Sequence, residues 1–410
     1  MKKEQFDIEK IDRSLFETNV VDQENPTQAS FTHYLQNYQN GASDFYKKDA
    51  LVFVEQILKK KHPRQQITYK LTERVLQRLT SDSNKPVPFP APKNPKFRFI
   101  DLFAGVGGFR IAMQNLGGKC VYTSEWNKEA QKTYKANYGE IPFGDITKEK
   151  VKKYIPESYD IVCAGFPCQA FSIAGHRKGF SDTRGTLFFD VEQIVERNRP
   201  KVVFLENVKN LLSHDKGKTF KVIVEILEKK LGYKVFYEIL NSMTHANVPQ
   251  NRERVFIVAF EPKQVKNYKD FKFPKQVKLT KTIHDILEGD KKDDKYYYSK
   301  NHMYYPELSK TMNNKNTVYQ WRRVYVRENK SNVCPTLTAN MGTGGHNVPI
   351  IKDNFGIRKL TPKECFAFQG FDMSKFVFPK IADSKLYTQS GNSVTVSLIE
   401  RITKEIIKVI

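Results

Sequence analysis

The chain has 410 residues and a mass of 47.7 kDa, with 39% apolar and 28% charged residues, a globular composition that excludes wholesale disorder and allows a large core plus smaller lobes. No run approaches the roughly 18–20 apolar residues of a spanning helix and MKKEQFDIEK lacks a signal-peptide core, so a soluble, cytoplasmic protein without membrane contact is expected. Lys and Arg number 68 against 45 Asp and Glu, a net charge of +23, which favours nucleic acid first and an anionic membrane surface second, although lysine richness is also a habit of some lineages.

The N-terminal residues, up to about 95, read as a small helical extension and a linker. Leu51, Val54, Ile57 and Leu58 fall at helical spacing between Asp49 and Lys61, and Leu71, Val75, Leu76 and Leu79 repeat the pattern. KPVPFPAPKNP, from Lys85 to Pro95, cannot continue a helix or a central strand. From about residue 96 to Phe260, short apolar strands alternate with amphipathic helices, which predicts an α/β fold with a doubly wound, mostly parallel sheet. The strands read FRFIDLF, KCVYTSE, YDIVCAG, KVVFLEN, KVFYEIL and RVFIVAF, with helices around Phe109 to Leu116 and Thr186 to Arg197. Beyond Phe260 the alternation dissolves into Lys-, Tyr- and Asn-rich text up to about Asn354, marking a second domain or a large insertion. SGNSVTVSLIERITKEIIKVI then reads as a turn and a closing helix.

The chemistry-bearing residues fall at the ends of these strands. Asp101-Leu-Phe-Ala-Gly105-Val-Gly107-Gly108 follows the first strand, and its glycines let a ligand approach the backbone at a helix N-terminus. The spacing departs from G-x-G-x-x-G, and close strand-helix packing alone is the competing reading. Glu125, at the end of the second strand, can accept from both hydroxyls of a ribose, Trp126 can stack on an adenine, and Asp145 can accept from an adenine amino group or simply cap a helix. Five cysteines, at 120, 163, 168, 334 and 365, include no CxxC pair, which disfavours a disulfide framework or zinc ribbon; no metal site is expected. Cys168 lies in Gly165-Phe-Pro-Cys-Gln-Ala-Phe-Ser172 at the carboxyl end of the third strand, where such folds place ligands, although taken alone it reads better as a buried structural thiol. The fourth strand delivers Glu206-Asn207-Val208 to the same edge, and Gln250-Asn-Arg252-Glu-Arg254 places two cations on one face before the last strand.

Together these segments resemble the DNA cytosine-5 methyltransferases of bacterial restriction-modification systems. The resemblance runs from Phe99 through Phe260 and from about Gly356 onward, through DLFAGVGG, GFPCQAFS, TRGTLFFD, LENV, PQNRERVF, RKLTPKECFAFQGF and GNSV, in the family's order. It implies the S-adenosylmethionine-dependent methyltransferase fold, with 1–95 as the helical extension and linker, 96–260 as the catalytic domain, 261–351 as the target-recognition domain and 352–410 as a returning segment. It implies Cys168 as nucleophile, Glu206 on the target base, and Arg252 and Arg254 supporting the base and the catalytic carboxylate. Phe103, Gly105, Gly107, Glu125, Trp126, Asp145, Ile146 and Asn392 would then hold S-adenosylmethionine, with S-adenosylhomocysteine as product. Cytosine C5 is too weak a nucleophile to take the methyl group directly, so a thiolate adds to C6 first, and the base must leave the duplex to be reached. Ala174-Gly-His-Arg177-Lys-Gly179 reads as a loop closing on DNA, with Ser172 and Arg177 as contacts, or as solvated loop residues.

Double-stranded DNA is the expected partner, bound by a monomer, with a restriction endonuclease as functional counterpart. In the recognition region, Gln320-Trp-Arg322-Arg323-Val-Tyr-Val-Arg327 reads as one alternating strand whose arginines meet guanine edges or phosphates. Thr336-Leu337 matches the family's Thr-Leu pair and joins the expected DNA contacts, on a GC-rich site containing GGCC or an interrupted form of it. Cys334 and Cys365 read as structural. RNA cytosine methylation is the rival enzyme reading, disfavoured because Cys365-Phe-Ala stands in a different motif from that branch's Cys-Phe-Thr. A non-catalytic DNA-binding repressor is disfavoured by the intact Cys168, Glu206 and Arg252 set, and a nicotinamide dehydrogenase by the catalytic loop. No helix-turn-helix signature appears in the N-terminal extension.

Overall fold

Six strands of the catalytic region form one sheet in the order β2-β1-β3-β4-β7-β5 in the computed structural model, which describes residues 8, 11, 13–17, 20–22, 25–37, 44–81, 86–167, 187–329, 331–343 and 347–410. They are β1 (Phe97–Leu102), β2 (Gly118–Ser124), β3 (Ile161–Gly165), β4 (Val202–Val208), β5 (Lys234–Asn241) and β7 (Glu253–Phe260). β6 (Gln250–Asn251) lies apart from this sheet. The first four pair in parallel, whereas β7 runs antiparallel to both β4 and β5. Its direction follows from chain length: the connection from β5 holds only the short Ser242–His245 helix and β6, and a parallel neighbour needs a crossover of about a dozen residues or more. The reversal brings the start of β7 to the sheet edge where β1 to β4 end.

Both faces of the sheet are covered over its inner strands, which is why β3, β4 and β7 are mostly apolar, whereas the edge strand β5 exposes Lys234, Tyr237 and Glu238. Ile161, Cys163, Val202, Phe204, Phe256 and Val258 face one core with α4 (Gly108–Asn115) and α9 (Val396–Ile407). Val162, Ala164, Val203, Leu205, Val255 and Ile257 alternate to the other, against α6 (Leu187–Asn198) and α7 (Lys218–Glu225). Between these, α5 (Lys128–Tyr138) follows β2, and α8 (Asp383–Asn392) precedes α9. Ser390, Gly391 and Asn392 therefore end a helix, where the sequence reading expects a turn.

The N-terminal extension contains three helices, α1 (Thr27–Asn37), α2 (Asp44–Lys61) and α3 (Tyr69–Ser81), around a core of Phe31, Phe53, Val54, Leu58, Val75 and Leu79. Two of them are legible in the sequence, but α1 is not, because its buried residues include Thr27, Gln28, Ser30, Thr32, His33 and Asn37 rather than an apolar stripe. Residues 86–96 have no helix or strand before β1.

A smaller antiparallel sheet, in the order β12-β11-β8-β9, comprises β8 (Tyr319–Arg322), β9 (Tyr325–Glu328), β11 (Ile350–Lys352) and β12 (Ile357–Lys359). The expected boundary at 351/352 cuts through β11. The text from Gln320 to Arg327 is not one strand: Arg322 pairs with Tyr325, so the chain reverses at Arg323-Val324, with Arg323 at φ 54. Its uninterrupted alternation hides this turn, since no glycine or proline marks it. β10 (Cys334–Pro335) pairs in parallel with β6 and ties this region to the catalytic strands. No helix among the described residues is long and apolar enough to cross a membrane.

Candidate active site

The ends of β1, β2, β3 and β4 and the start of β7 converge on a cavity of about 610 Å³, lined also by α8, at the carboxyl edge where open α/β sheets bind ligands. Of the expected residues, Phe103, Gly105, Glu125, Trp126, Asp145, Ile146, Glu206, Arg252, Arg254 and Asn392 line it. Cys168, Ser172 and Arg177 lie outside the described residues; Phe166 and Pro167, which precede Cys168, line the cavity.

The turn after β1 is held in left-handed backbone conformations at Phe103 (φ 58), Gly105 (φ 55) and Gly107 (φ 84). For a phenylalanine this costs on the order of 1–3 kcal/mol. A β-carbon at Gly105 would meet nothing within 4 Å, so its backbone stays open to a ligand. Gly107 differs: it does not line the cavity, and a β-carbon there would overlap the Tyr138 hydroxyl. Its missing side chain admits Tyr138, which donates to the Val106 and Gly107 carbonyls.

Glu125 accepts from the Gly105 N–H at 2.8 Å and the Asn127 N–H at 2.7 Å. Burial pushes its carboxyl up, with the N–H groups of Asn127, Gly105 and Trp126 opposing. Beside it, Trp126 is 69% exposed at the rim. Across the cavity Asp145 Oδ1 accepts from the Thr147 N–H and hydroxyl, fixing the Gly144–Thr147 turn. Lys385, Thr388, Gln389 and Asn392 of α8 also face in, at i, i+3, i+4 and i+7. That periodicity was the available signal for the first three, which sequence reading missed; it is masked by their polar character.

At the other end Glu206, opposite Gly165 in the sheet register, meets Arg254 with Oε1 3.0 Å from Nε. Asn207, which the sequence brings to this edge without a role, donates to the Phe166 carbonyl at 2.8 Å and so fixes the exit of β3 just before Cys168. Arg252 is fully buried and does not hydrogen-bond Glu206; it donates to the carbonyls of Leu337 (2.9 Å), Ser393 (2.6 Å) and Gly391 (3.3 Å). Among the described residues, direct support of the carboxylate is thus the part of Arg254. Burial pushes both guanidinium groups down, Arg252 the further, with Glu206 opposing in each.

Leu337 is completely buried and its N–H donates to Gln250 Oε1 at 3.1 Å, so its side chain is core and offers no face to a duplex; its carbonyl instead anchors Arg252. Thr336 is half-buried and donates to the Asn251 carbonyl at 2.6 Å. Arg322, Arg323 and Arg327 are exposed on the β8–β9 hairpin and do not line the cavity, and Arg322 and Arg327 both donate to Gln320 Oε1.

This arrangement joins a strand end leading to a thiol, an arginine-bound carboxylate and a pocket with nucleoside-like acceptors. The family model for C-5 cytosine-specific DNA methylase matches residues 97–408. Type II methyltransferase M.Bsp6I of Bacillus sp. (strain RFL6) is 49% identical over 316 residues, covering 76% of this chain and 98% of that protein. M.HpaII of Haemophilus parainfluenzae is 44% identical over 338 residues, covering 78% and 93%. Among solved structures, the S. pombe Dnmt2 methyltransferase aligns with a TM-score of 0.57 at 18% identity, covering 76% of this chain and 98% of that one, a likeness of fold. The chain belongs to the C-5 cytosine-specific DNA methylase family and is a DNA cytosine-5 methyltransferase.

Proposed function

We propose that the protein methylates C5 of a cytosine flipped from a short GC-rich duplex site, using S-adenosylmethionine and a covalent Cys168 adduct, and so shields host DNA from a paired restriction endonuclease. The observation that carries this reading is the single cavity shared by Glu125, Trp126, Asp145, Glu206, Arg254 and the strand end that leads into Cys168. The cofactor fits these residues. A volume of about 610 Å³ lies within the usual ligand-pocket range, the space over Gly105 is open, and the Gln389 Nε2 is a buried donor without a partner among the described residues. Glu125 would take the ribose hydroxyls, Trp126 the adenine face and Asp145 the adenine amino group, with Phe103, Ile146 and Asn392 closing the pocket. When bound, S-adenosylmethionine supplies an electrophilic methyl group.

The Cys168 thiolate forms a bond to C6 of the base, and the displaced electron pair makes C5 nucleophilic. Glu206 holds a proton or strong hydrogen bond at N3, stabilising that adduct, while Arg254 orients the carboxyl. After C5 is methylated, a base takes its proton, the C–H electron pair re-forms the C5–C6 double bond, and the thiolate leaves C6. Extrusion of the base from the duplex is required because no group in a concave site can reach C6 within a stacked helix. That Glu125, Asp145, Glu206 and Arg254 line one cavity of one chain supports a monomer acting on DNA.

Purified chain is expected to transfer tritium from methyl-labelled S-adenosylmethionine to duplex DNA, and Cys168→Ser to abolish transfer. DNA containing 5-fluorocytosine should trap the adduct, because the C5 proton that must leave is absent. Undiminished transfer by Cys168→Ser, or no adduct on the fluorinated DNA, contradicts the mechanism.

A further inference from the structure

The N-terminal helices lie outside the family match, which begins at residue 97, yet they grip the segments that line the cofactor side of the cavity. Phe143 immediately precedes the Gly144–Thr147 turn. Its ring stacks on Tyr46 of α2 at 5.5 Å and on Tyr122 and Tyr154 of the catalytic region, and packs tilted against His33 of α1 at 4.7 Å. Tyr46 donates to the Val121 carbonyl at 2.7 Å and the Tyr154 carbonyl at 3.1 Å. The Ile141 N–H donates to the Thr32 hydroxyl at 3.0 Å. A second arm reaches Glu125: the Val21 N–H donates to Gln131 Oε1 at 3.0 Å, and Gln131 Nε2 donates to the Glu125 carbonyl at 2.6 Å.

We infer that the N-terminal lobe is an intramolecular brace for the cofactor pocket, with Tyr46 and Thr32 as positioning residues for S-adenosylmethionine; this rests on the cofactor reading above. The contacts reach both ends of the nucleoside subsite, the adenine side through Ile141 and Phe143 and the ribose side through Gln131. Both Tyr46 and Thr32 are buried, so water cannot replace the lost hydrogen bonds at low cost. Strand β2 and the Gly144–Thr147 turn, held together by the Phe143 N–H to Thr123 carbonyl bond at 2.9 Å, thus receive part of their rigidity from outside the catalytic region. Rigid support of this kind acts by holding binding groups within a narrow range of geometry, so its loss weakens ligand binding without removing any ligand contact.

The test uses the full chain carrying Tyr46→Phe, which keeps the ring on Phe143, and Thr32→Val, which keeps the volume. Each is expected to raise the dissociation constant for S-adenosylhomocysteine, measured by calorimetry, about 5-fold. The cofactor KM should rise similarly while kcat at saturating cofactor stays unchanged, and amides over 141–147 should exchange hydrogen faster in the free protein. Ile399→Val, in the opposite core, serves as a stability-matched control and should leave the constant unmoved. Folded Tyr46→Phe and Thr32→Val proteins that bind with the wild-type constant overturn the positioning role, and unchanged exchange over 141–147 overturns the brace itself. A wild-type chain that does not bind S-adenosylhomocysteine sinks the cofactor reading instead, with the exchange measurement still deciding the brace.

Discussion

Arg252 donates to three backbone carbonyls, whereas Arg254, two residues on, meets the Glu206 carboxylate at 3.0 Å. Removing the first leaves three acceptors unserved in a buried place, at about 1–3 kcal/mol each in unmet desolvation. Arg252→Met should therefore lower stability by at least about 3 kcal/mol, read as a shifted denaturant midpoint, and a midpoint within error of the parent would show that the anchor is dispensable. Glu206→Gln keeps the shape of its site, so it should melt like the parent and lose about 10²- to 10⁴-fold in kcat in the tritium assay. Alternation in NRERVF shows that the two arginines share a face. It does not show which one holds the carboxylate, because the partners of Arg252 come from residues 337, 391 and 393, brought together only by the fold.

The turn between β1 and α4 carries two left-handed glycines with different neighbours, open space at Gly105 and Tyr138 at Gly107. A side chain in that conformation costs roughly 1–2 kcal/mol. Gly105→Ala should lose about that much stability and several-fold in S-adenosylhomocysteine affinity, while Gly107→Ala should lose more stability because the Tyr138 ring must also move. Equal melting shifts for the two would contradict this division. DLFAGVGG announces a ligand turn but cannot separate these glycines, since the residue that needs Gly107, Tyr138, lies 31 positions downstream. The joint between α1 and the catalytic core is likewise silent in sequence: Glu140 binds Arg110 through both oxygens, and His33 Nε2 stands 3.4 Å from it, all three buried. Burial holds His33 below its ordinary pKa, and Arg110 and His33 together overcome burial to hold Glu140 below the usual carboxylate range. In both cases the unfolded chain binds more protons, so stability is present at neutral pH and is lost as pH falls, first below about 6.5 as histidine of the open state protonates, then through the carboxylate range. Acid-induced exchange at α1 amides should precede that of β4, and His33→Gln should remove the earlier step.

The net charge of +23 says little about chemistry but sets how DNA affinity responds to salt. Log affinity should fall linearly with log salt, and each phosphate contact removed should flatten the slope by about 0.9. Arg322, Arg323 and Arg327, exposed together on one hairpin, should flatten it by up to about 3 when all become alanine; an unchanged slope would remove them from the phosphate-contacting set. The six-strand core was legible in sequence because each strand is short, apolar and bounded by polar turns. The small sheet was not, since its strands are three or four residues long and its two hairpins join only through the non-local pair of β11 with β8. The decisive measurement is bisulfite sequencing of DNA from a host free of cytosine methylation that expresses the intact chain or Cys168→Ser. Cytosines that resist conversion should recur at one short GC-rich sequence with the intact chain and vanish with the variant. Uniform conversion, or the same protected sites in both, would contradict site-specific C5 methylation through Cys168.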